Sequence, residues 1–509
     1  SVSRVPGAAP RTSTPATAPS RARITVQPVG RRVSEKWPTS MPETSVMAPE
    51  DEEREAGADD EAGMAADYGT APSTIGAMTV ARSFSADGAV RHAVVIGAGA
   101  VGSATAIEAL RAGLRVTVVE PGEPGGPHAT SYGNAGWLSS HSVVPPALPG
   151  AWRKVPGWLA DPLGPLALRW RYLPRALPWL LRYLASGWTE ARVQRTADAL
   201  RTLLADAPAL HARLAAEAGV PQLIEQRGLL HAYRSREEFE GDALGWRVRG
   251  RTGVQWEEWL EPTLREREPD LDARYTLGIF VSEAGHCRNP GAYVAAVAQH
   301  ALKAGAQRMA TRATGFRIEG GRLRAVLTEA GEITCDAAAI CAGARSGPLA
   351  AAAGSPVPLE SERGYHVVIE GAAVGPRTPT MVADGKLIAH WMDGGLRAAG
   401  QVEIGGLEAA PDWRRAEILH RHLQSMFPAL GDRAAESVSV KHWLGHRPSL
   451  PDGLPCIGAS KASADVVLAF GHGHVGLCGS ARTGKLAAQL LAGTTPETPL
   501  APFDPGRFS

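Results

Sequence analysis

The chain has 509 residues, of which 44% are hydrophobic and 21% are charged, and these fractions are ordinary for a globular protein. At roughly 150 residues per domain, this length allows about three domains. The 53 lysine and arginine residues almost balance the 52 aspartate and glutamate residues. This balance excludes a nucleic-acid partner that is held mainly by its phosphate charge.

The five cysteines are too few and too scattered to form a disulfide framework. Because no pair has the C-x-x-C spacing, a zinc ribbon and a redox dithiol lack support, and we predict no metal site. This cysteine usage is typical of a reducing compartment, so we predict a cytoplasmic protein. The sequence has no run of about 18 apolar residues, and we therefore expect no membrane-spanning helix.

Residues 1–90 do not have the pattern of a domain. They are rich in Ala, Pro, Ser and Thr, and they contain an acidic cluster at 50–53. No segment carries enough periodic apolar residues to offset the entropy that is lost on ordering. We predict that these residues form a disordered tail.

The first informative segment, residues 92–120, has the pattern of a strand, a helix and a second strand. A short β-branched run ends at Gly97, apolar residues then recur at helical spacing, and a second apolar run ends at Glu120. Gly97, Gly99 and Gly102 form a G-x-G-x-x-G motif at the first junction. The first glycine permits a tight turn, the second lets the backbone approach a pyrophosphate, and the third lets the helix pack close to the strand.

This motif predicts a dinucleotide site. The helix N-terminus offers amide donors and a partial positive charge to the phosphates. Glu120 lies at the end of the second strand, where a carboxylate accepts hydrogen bonds from ribose hydroxyls and repels a 2′-phosphate. The motif alone leaves NAD and FAD open, and a glycine-rich turn that binds nothing is the alternative.

Two segments of small residues follow. Residues 130–137, TSYGNAGW, form a polar loop soon after the second strand, and such a loop suits contact with a flat ring system. Residues 336–346, DAAAICAGARS, have the pattern of a strand that runs into Gly343 and approaches the same dinucleotide. The alternatives are a plain polar turn for the first segment and a buried strand with a turn for the second.

The C-terminal part carries the most information. It contains WLGHRPSLPDGLPCIG at 443–458 and GHGHVGLCGSARTGK at 471–485. The second stretch follows a strand-like run and precedes an apolar helix, so its glycines predict another strand–loop–helix junction. The amide groups of this junction are suited to face an electron-rich part of a cofactor.

Taken together in this order, the motifs resemble the FAD-dependent D-amino-acid oxidase superfamily, and within it the D-amino-acid dehydrogenase (small-subunit-like) branch. SEAGHCRNP at 282–290 and ERGYH at 362–366 fit the same pattern, which extends from residue 92 to about residue 500. The GHGHVG and GHCRNP variants look most similar to members that act on D-hydroxyproline and related D-amino acids. The final loop departs from the D-alanine-type pattern by its second histidine, His474, which leaves the size and polarity of the substrate open.

The resemblance implies an α/β fold in which a doubly wound, Rossmann-like FAD-binding domain is interleaved with an α+β substrate domain. The FAD-binding domain is expected to comprise residues 91–140, 286–346 and 441–500. The substrate domain, residues 141–285 and 347–440, is expected to be a mostly antiparallel sheet with helices.

The resemblance also implies which residues carry the chemistry. Arg447 is expected to bind the substrate carboxylate through its guanidinium fork, with a structural ion pair as the alternative. Tyr365 is expected to place a hydroxyl above the substrate, and His472 to contact flavin or substrate; core packing and a structural imidazole are the alternatives. Val326 is expected to pack near the adenine. The residues predicted to contact FAD are Gly97, Ala98, Gly99, Ala100, Val101, Gly102, Glu120, Ser131, Asn134, Ala135, Gly136, Val326, Gly343, Gly471, His472, Gly473, His474, Val475 and Gly476.

The implied reaction is the oxidation of a D-amino acid to an imino acid, and then to a 2-oxo acid and ammonia, with transfer of a hydride from Cα to flavin N5. No general base is assigned, because solvent suffices to deprotonate the amine. The branch resembled passes electrons to a quinone or a carrier, and O₂ remains open as the acceptor. The alternatives are an amine oxidase similar to sarcosine or glycine oxidase, an NAD-dependent dehydrogenase, and a non-catalytic flavin-binding scaffold.

Residues 152–188 contain five of the 13 tryptophans, interleaved with basic residues. This composition suits a helix that lies at a membrane interface. Such a helix would place the protein at the periphery of the inner membrane, where a quinone is accessible. A helical arm packed on the substrate domain is the other interpretation, and the sequence favours it.

Overall fold

The computed structural model describes residues 90–154, 157, 166–432 and 439–508. The predicted disordered tail lies outside the described residues except for Val90, and so does Trp158 of the tryptophan-rich segment. The strand, helix and second strand predicted from residues 92–120 are confirmed.

The described strands run through the whole of this part of the chain. They are β1 (His92–Ile96), β2 (Arg115–Val119), β3 (Trp137–Leu138), β4 (Leu166–Leu168), β5 (Ile224–Glu225), β6 (Leu229–Tyr233), β7 (Glu257–Leu260), β8 (Leu277–Val281), β9 (Gly285–Cys287), β10 (Gln307–Met309), β11 (Ala313–Glu319), β12 (Arg322–Thr328), β13 (Gly331–Thr334), β14 (Ala337–Ile340), β15 (Glu360–Glu370), β16 (Thr380–Val382), β17 (Leu387–Met392), β18 (Gly395–Ile404), β19 (Ser439–Ser449), β20 (Cys456–Ala459) and β21 (Val466–Phe470).

Helices connect many of these strands. They are α1 (Ala100–Arg111), α2 (Leu173–Ser186), α3 (Glu190–Leu204), α4 (Ala207–Glu217), α5 (Arg236–Gly241), α6 (Ala243–Arg251), α7 (Glu261–Arg267), α8 (Pro290–Lys303), α9 (Ser346–Ala352), α10 (Arg414–Met426), α11 (Ala429–Asp432) and α12 (Ser480–Ala492). Short 3₁₀ turns lie at Ala151–Lys154, Trp170–Tyr172, Pro221–Leu223, Gly343–Arg345, Gly473–Val475, Ala501–Phe503 and Pro505–Phe508.

A six-stranded sheet contains the glycine motif at one of its strand ends. Its order is β10-β2-β1-β14-β21-β20, and all neighbours are parallel except β20 against β21. Val94 in β1 lies between Thr117 of β2 and Ala338 of β14. The whole of β1 is buried, because its apolar residues are covered on both faces, as is typical of a central parallel strand.

The two faces of this sheet have different covers. Ala93 and Val95 pack toward α1, α8 and α12, whereas Val94 and Ile96 pack toward α9 and the antiparallel sheet β11-β12-β13. Helices α1 and α12 approach each other closely because their contact surface is made of small residues. A Cβ on Gly484 would lie 2.7 Å from the Cβ of Ala104, so this helix pair tolerates no side chain at that position.

A nine-stranded sheet forms the second large layer. Its main path is β19-β15-β18-β17-β16-β6-β8-β7, and β4 pairs with β18. Most neighbours are antiparallel, as the resemblance implied, and the parallel pairs are β16 with β6 and β4 with β18. Helix α10 packs against β15 and β18 through Ala416, Leu419 and Leu423.

Strand β19 connects the two large sheets. The sequence division places residues 441–449 in the FAD-binding domain, but these residues pair with β15 along its whole length and belong to the nine-stranded sheet. The chain then enters the six-stranded sheet at β20. This passage brings the end of β19 next to the loop that follows β21, where Ser449 forms an isolated bridge with His472.

Within the described residues, no helix has both the length and the apolar character needed to cross a membrane. The same part of the chain contains no group of three or more His, Cys, Asp or Glu side chains arranged to hold a metal ion.

Candidate functional site

The glycine motif forms an open cradle at the N-terminus of α1. Gly97 has φ of +104°, and a Cβ there would lie 2.6 Å from the carbonyl oxygen of Cys341. A Cβ on Gly102 would lie only 1.9 Å from Gly97 O, whereas one on Gly99 would meet only Ser131 Oγ, at 3.4 Å. Gly99 is therefore the glycine whose missing side chain leaves space for a ligand rather than for the protein.

The donor groups of this cradle suit a pyrophosphate. Within the described part of the chain, the amides of Gly99 and Val101 have no hydrogen-bond partner, and both residues are only half-buried. They lie at the first turn of a helix of 12 residues, where the helix dipole favours an anion. The amide of Ala100 donates to Ser131 Oγ at 3.3 Å, which ties the cradle to the loop 130–137.

Glu120 is fixed beside the cradle by backbone donors. Its Oε2 accepts a hydrogen bond from Ala98 N at 2.9 Å, and its Oε1 accepts one from Gly122 N at 3.0 Å. His128 Nε2 lies 3.4 Å from the same Oε1. Each carboxylate oxygen has a second lone pair, so Glu120 is held in place while it retains acceptor capacity, and its contact with ribose hydroxyls stays a prediction.

The loop 130–137 connects the cradle to β19. Ser131 contacts α1 as described, and Thr130 Oγ1 donates to His446 O at 2.6 Å. Thus two consecutive side chains of the TSYGNAG segment contact helix α1 and strand β19. Arg447 follows His446 directly, so this loop leads from the predicted pyrophosphate site to the predicted substrate anchor.

The second half of the same loop is held by a buried arginine. Asn134 Oδ1 accepts from Gly136 N at 2.8 Å, and Arg397 Nη1 donates to Asn134 O at 2.9 Å. Gly136 has φ of +74°, and a Cβ there would lie 2.3 Å from Cys287 O. The loop conformation therefore requires a glycine at 136, and Ala135 is carried between the two anchored positions.

Arg447 lies on the face of β19 that also presents Glu362 of β15. Its Nη1 donates to Gln401 O at 2.9 Å, and its guanidinium lies over Gly364, where a Cβ would be 2.5 Å from Cζ. Among the described residues, no carboxylate oxygen lies within 4 Å of its guanidinium nitrogens. Burial lowers the pKa of Arg447, and the more distant Glu362 charge opposes this effect. Arg447 therefore carries a charge that no ion pair neutralises.

The loop after β21 brings His474 to this guanidinium. Gly471 and Gly473 have φ of +92° and +54°, which are left-handed values that favour glycine. His474 is exposed, yet desolvation by the surrounding protein, together with the Arg447 charge, lowers its pKa to about 4. His474 therefore has one side toward solvent and the other toward protein, within range of the Arg447 charge. Val475 is buried beneath it.

His472 has a different environment from His474. It is buried, and its Nε2 is 2.9 Å from Thr483 Oγ1 of α12. Burial lowers the pKa of His472 to about 4, so the ring is neutral at physiological pH. These contacts match the alternative of a structural imidazole, and it is His474, not His472, whose pKa is affected by the Arg447 charge.

Tyr365 is also separated from Arg447. In a strand, neighbouring side chains alternate between faces, and Tyr365 lies on the face of β15 opposite to Glu362. Its hydroxyl donates to Glu403 Oε2 at 2.7 Å and accepts from Asp412 N at 3.0 Å, and the side chain is 1% exposed. The structure does not place this hydroxyl at the anchor, and the packing is that of a core residue.

Two further predicted positions lie at the edges of the site. Gly343 has φ of +56° at the end of β14, and a Cβ there would meet nothing within 4 Å, so it lies open beside the strand ends. Val326 is fully buried in β12 and packs with Val119 and Ile340. Its expected proximity to an adenine stays a prediction.

Two residues at the site were not predicted from the sequence. Glu362 belongs to the ERGYH segment, and its alternation with Gly364 would have placed it on the anchor face if the pairing of β15 with β19 had been known. Gln401 supplies the carbonyl that orients Arg447, and its backbone has φ of +60°. Neither glycine nor asparagine marks that position, so the sequence carries no local signal for it.

A known family matches most of this chain. The profile of the family described as "DAO: FAD dependent oxidoreductase" matches residues 92–490. A protein from Bradyrhizobium diazoefficiens named D-amino-acid oxidase is 63% identical over 418 residues, which cover 82% of this chain and 99% of that protein. A protein from Paramagnetospirillum magneticum named D-amino acid dehydrogenase is 31% identical over 408 residues, 79% of this chain and 94% of that protein.

Solved structures share the fold at lower identity. Glycine oxidase from Geobacillus kaustophilus superposes with a TM-score of 0.61 at 21% identity, covering 82% of this chain and 98% of that one. L-proline dehydrogenase from P. horikoshii superposes with a TM-score of 0.62 at 20% identity, covering 82% and 97%.

Proposed function

We propose that this chain, which belongs to the DAO family of FAD-dependent oxidoreductases, oxidises D-amino acids to imino acids, which water converts to 2-oxo acids and ammonia. Family membership makes the chain an FAD enzyme and removes the NAD-dependent alternative. The substrate class is supported by the 63% identical relative named D-amino-acid oxidase and by the more distant relatives named D-amino acid dehydrogenase.

The observation that carries the substrate proposal is the uncompensated charge of Arg447. Its guanidinium is oriented by Gln401 O, and its charge acts on His474. A carboxylate that approached this guanidinium would form a charge-assisted, bidentate pair without displacing an existing ion pair. Fixing the carboxylate fixes which face of Cα is presented, and this is how one enantiomer is selected.

The cofactor residues fit the dinucleotide part of FAD. The free amides of Gly99 and Val101 would hold the pyrophosphate at the N-terminus of α1, and Glu120 would accept the ribose hydroxyls. When bound, the flavin supplies the acceptor for the hydride that leaves Cα. The protein contributes the placement of the substrate relative to the cofactor, and the neutral His474 adds no charge that would compete with Arg447 for the carboxylate.

Covalent attachment of the flavin through cysteine would favour the sarcosine- or glycine-oxidase-like alternative. The chain has five cysteines, all of them buried and free. Burial raises the pKa of each thiol to about 11 or 12, so these thiols are protonated at physiological pH and poorly reactive. This chemistry supports a non-covalent cofactor, which would leave the chain when the protein is denatured.

For the substrate side chain we propose D-hydroxyproline and related D-amino acids, following the GHGHVG and GHCRNP variants. Oxidation of such a cyclic amine gives a cyclic imine, and hydrolysis of this imine opens the ring without release of ammonia. The test is a panel of D-alanine, D-proline, D-hydroxyproline, glycine and sarcosine, with detection of the imino or 2-oxo product. Turnover that is fastest with a cyclic D-amino acid is the expected result. Turnover of glycine and sarcosine alone would instead establish the amine-oxidase alternative, and bound flavin without any turnover would point to a scaffold.

For the electron acceptor we propose a quinone or a carrier, reached at the periphery of the inner membrane from the cytoplasmic side. The support is a set of exposed apolar side chains on and around α2, since Trp170, Leu181 and Trp188 are 60%, 59% and 61% exposed. Arg171 and Arg182 are exposed among them, a composition suited to an anionic lipid surface. The acceptor is identified by measuring turnover with a soluble quinone under argon and, separately, with air alone. If turnover in air is as fast as turnover with the quinone, O₂ is the acceptor instead of a quinone.

A further inference from the structure

Gln401 has a backbone conformation that its side chain does not favour. Its φ is +60°, and the other non-glycine residue with positive φ in the described part of the chain is Lys386, at +46°. Left-handed backbone is unfavourable for residues with a Cβ, and such conformations persist only where surrounding contacts enforce them. Gln401 is 5% exposed, so the enforcing contacts are within the protein.

The unusual backbone belongs to a bulge between β15 and β18. Tyr365 pairs with Gly400 and Arg363 pairs with Glu403, so two residues of β18, Gln401 and Val402, oppose the single Gly364. A bulge of this kind redirects the groups of the longer strand. Here it turns the carbonyl of Gln401 toward Arg447, which donates to it from Nη1 at 2.9 Å.

The side chain of Gln401 makes a contact on the other side of the sheet. Its Oε1 accepts a hydrogen bond from Arg415 Nη1 at 3.0 Å. Arg415 is the second residue of α10, which packs on the face of β15 that carries Tyr365. Gln401 is thus bound through its carbonyl to an arginine on one face of the sheet and through its amide to an arginine on the other.

We propose that Gln401 is a positioning residue for substrate binding, in which the amide contact with Arg415 holds the left-handed backbone and this backbone aims the guanidinium of Arg447 at the substrate carboxylate. The inference rests on the proposed function, because it assumes that Arg447 binds that carboxylate. It predicts that changes at 401 act on substrate affinity, and that they act through Arg447 only.

The test uses the FAD-loaded, full-length enzyme and three single variants. Gln401→Ala removes the amide contact and leaves a residue that disfavours positive φ, so KM for a D-amino acid is expected to rise roughly five- to tenfold, the scale of a lost orienting contact. The flavin content and kcat are expected to stay close to those of the parent. Gln401→Gly removes the same amide but accepts positive φ, so its KM is expected to lie between the two.

Lys386→Ala is the matched control. Like Gln401→Ala, it leaves a residue with a Cβ at positive φ, but in the turn between β16 and β17, where the exposed Lys386 side chain forms no hydrogen bond or ion pair with Arg447. It is expected to leave both the melting temperature and KM close to those of the parent. If Gln401→Ala does not fold, KM of Gln401→Gly is compared with that of the parent and of Lys386→Ala instead.

A double-variant cycle separates this proposal from the proposed function. In an Arg447→Ala background, Gln401→Ala is expected to leave kcat/KM unchanged, because the group through which it acts is absent. An unaltered KM in Gln401→Ala, or an equal loss in both backgrounds, would overturn the positioning role. If Arg447→Ala alone retains the parent KM, Arg447 does not bind the substrate carboxylate and the proposed function is wrong. That result is distinct from a failure of the Gln401 proposal alone.

Discussion

Glu362 and Arg447 are direct partners across the β15–β19 pair and share one face of the sheet, yet their charged groups form no ion pair. Arg447 instead donates to two main-chain carbonyls, Gln401 O at 2.9 Å and Gly400 O at 3.5 Å. Burial raises the pKa of Glu362, and the Arg447 charge lowers it, with burial the larger effect. The two residues therefore form a loosely coupled pair in which the cation is available to a third group.

The first prediction concerns the pH dependence of stability. Because the pKa of Glu362 is raised above its ordinary value of 4.5, the native state keeps this proton to higher pH than the unfolded state. The stability that protonation contributes is complete below pH 4.5 and is lost as the pH rises through the raised pKa. As the pH rises from 4.5 through the raised pKa, the free energy of unfolding of the parent should thus fall relative to that of Glu362→Gln, whose side chain stays neutral.

Glu362→Gln should also improve substrate binding at alkaline pH. An ionised Glu362 attracts the guanidinium and repels the substrate carboxylate, so its removal is expected to lower KM at pH 8 roughly two- to fivefold, the scale of a partly exposed charge interaction. Steady-state kinetics and denaturant unfolding of both proteins from pH 4.5 to pH 8 provide the check. Parallel profiles of the two proteins would show that Glu362 does not titrate against Arg447.

The second prediction concerns Arg447 itself. Arg447→Ala is expected to lower kcat/KM about 100-fold or more, because a charge-assisted pair contributes roughly 3 kcal/mol. Arg447→Lys keeps the charge but not the fork and should recover only part of this loss. The flavin content should match the parent in both variants, since Arg447 contacts none of the cradle groups. A parent-like kcat/KM in Arg447→Ala would remove it from the site.

The third prediction separates two glycines of one motif. Gly99→Ala adds a Cβ that meets only Ser131 Oγ at 3.4 Å, so the protein without flavin should keep its stability within about 0.5 kcal/mol. Gly102→Ala places a Cβ 1.9 Å from Gly97 O and should cost about 1–3 kcal/mol through overpacking. Both variants should lose FAD, and thermal unfolding with flavin quantification tests this. Full retention of FAD by Gly99→Ala would show that the pyrophosphate does not bind at Gly99.

The fourth prediction distinguishes the two histidines of the C-terminal loop. His472→Ala removes a buried ring and leaves Thr483 without its partner, so it should cost about 2 kcal/mol of stability. It should leave kcat/KM of the folded enzyme within roughly a factor of two, because the ring does not contact Arg447. His474→Ala should do the reverse, with parent-like stability and altered kcat/KM. If His472→Ala instead alters kcat/KM at parent-like stability, and His474→Ala only lowers stability, His472 is the residue that contacts substrate.

The dinucleotide half of the site was predictable because its signals are local. The spacing of Gly97, Gly99 and Gly102 and the position of Glu120 follow from one strand–helix–strand unit, and the structure places all four where the sequence indicates. The loop 130–137 was predicted to lie against a flat ring system, which stays a prediction, and its serine and threonine connect α1 to β19. The Ser131 contact spans 31 positions, whereas the Thr130 contact spans 316 and has no local signal in the sequence.

The substrate half was less predictable because it depends on register. Which face of β15 carries Tyr365 is decided by its pairing with β19, about 80 residues later, and no local pattern fixes that pairing. The assignment of residues 441–449 to the FAD-binding domain has the same origin, because β19 and β20 are nearly continuous in sequence. The left-handed backbone of Gln401 results from tertiary contacts with two arginines, which sequence patterns do not encode.

The central claim is that Arg447 presents a D-amino acid to a bound FAD, and anaerobic mixing tests it most directly. The purified yellow enzyme is mixed with each enantiomer of one amino acid, and the flavin colour is followed in the parent and in Arg447→Ala. We expect the D-enantiomer to bleach the parent, the L-enantiomer to leave it yellow, and the variant to bleach only at much higher concentration. A colourless protein that takes up no flavin, or bleaching that is indifferent to handedness and to Arg447, would contradict the account.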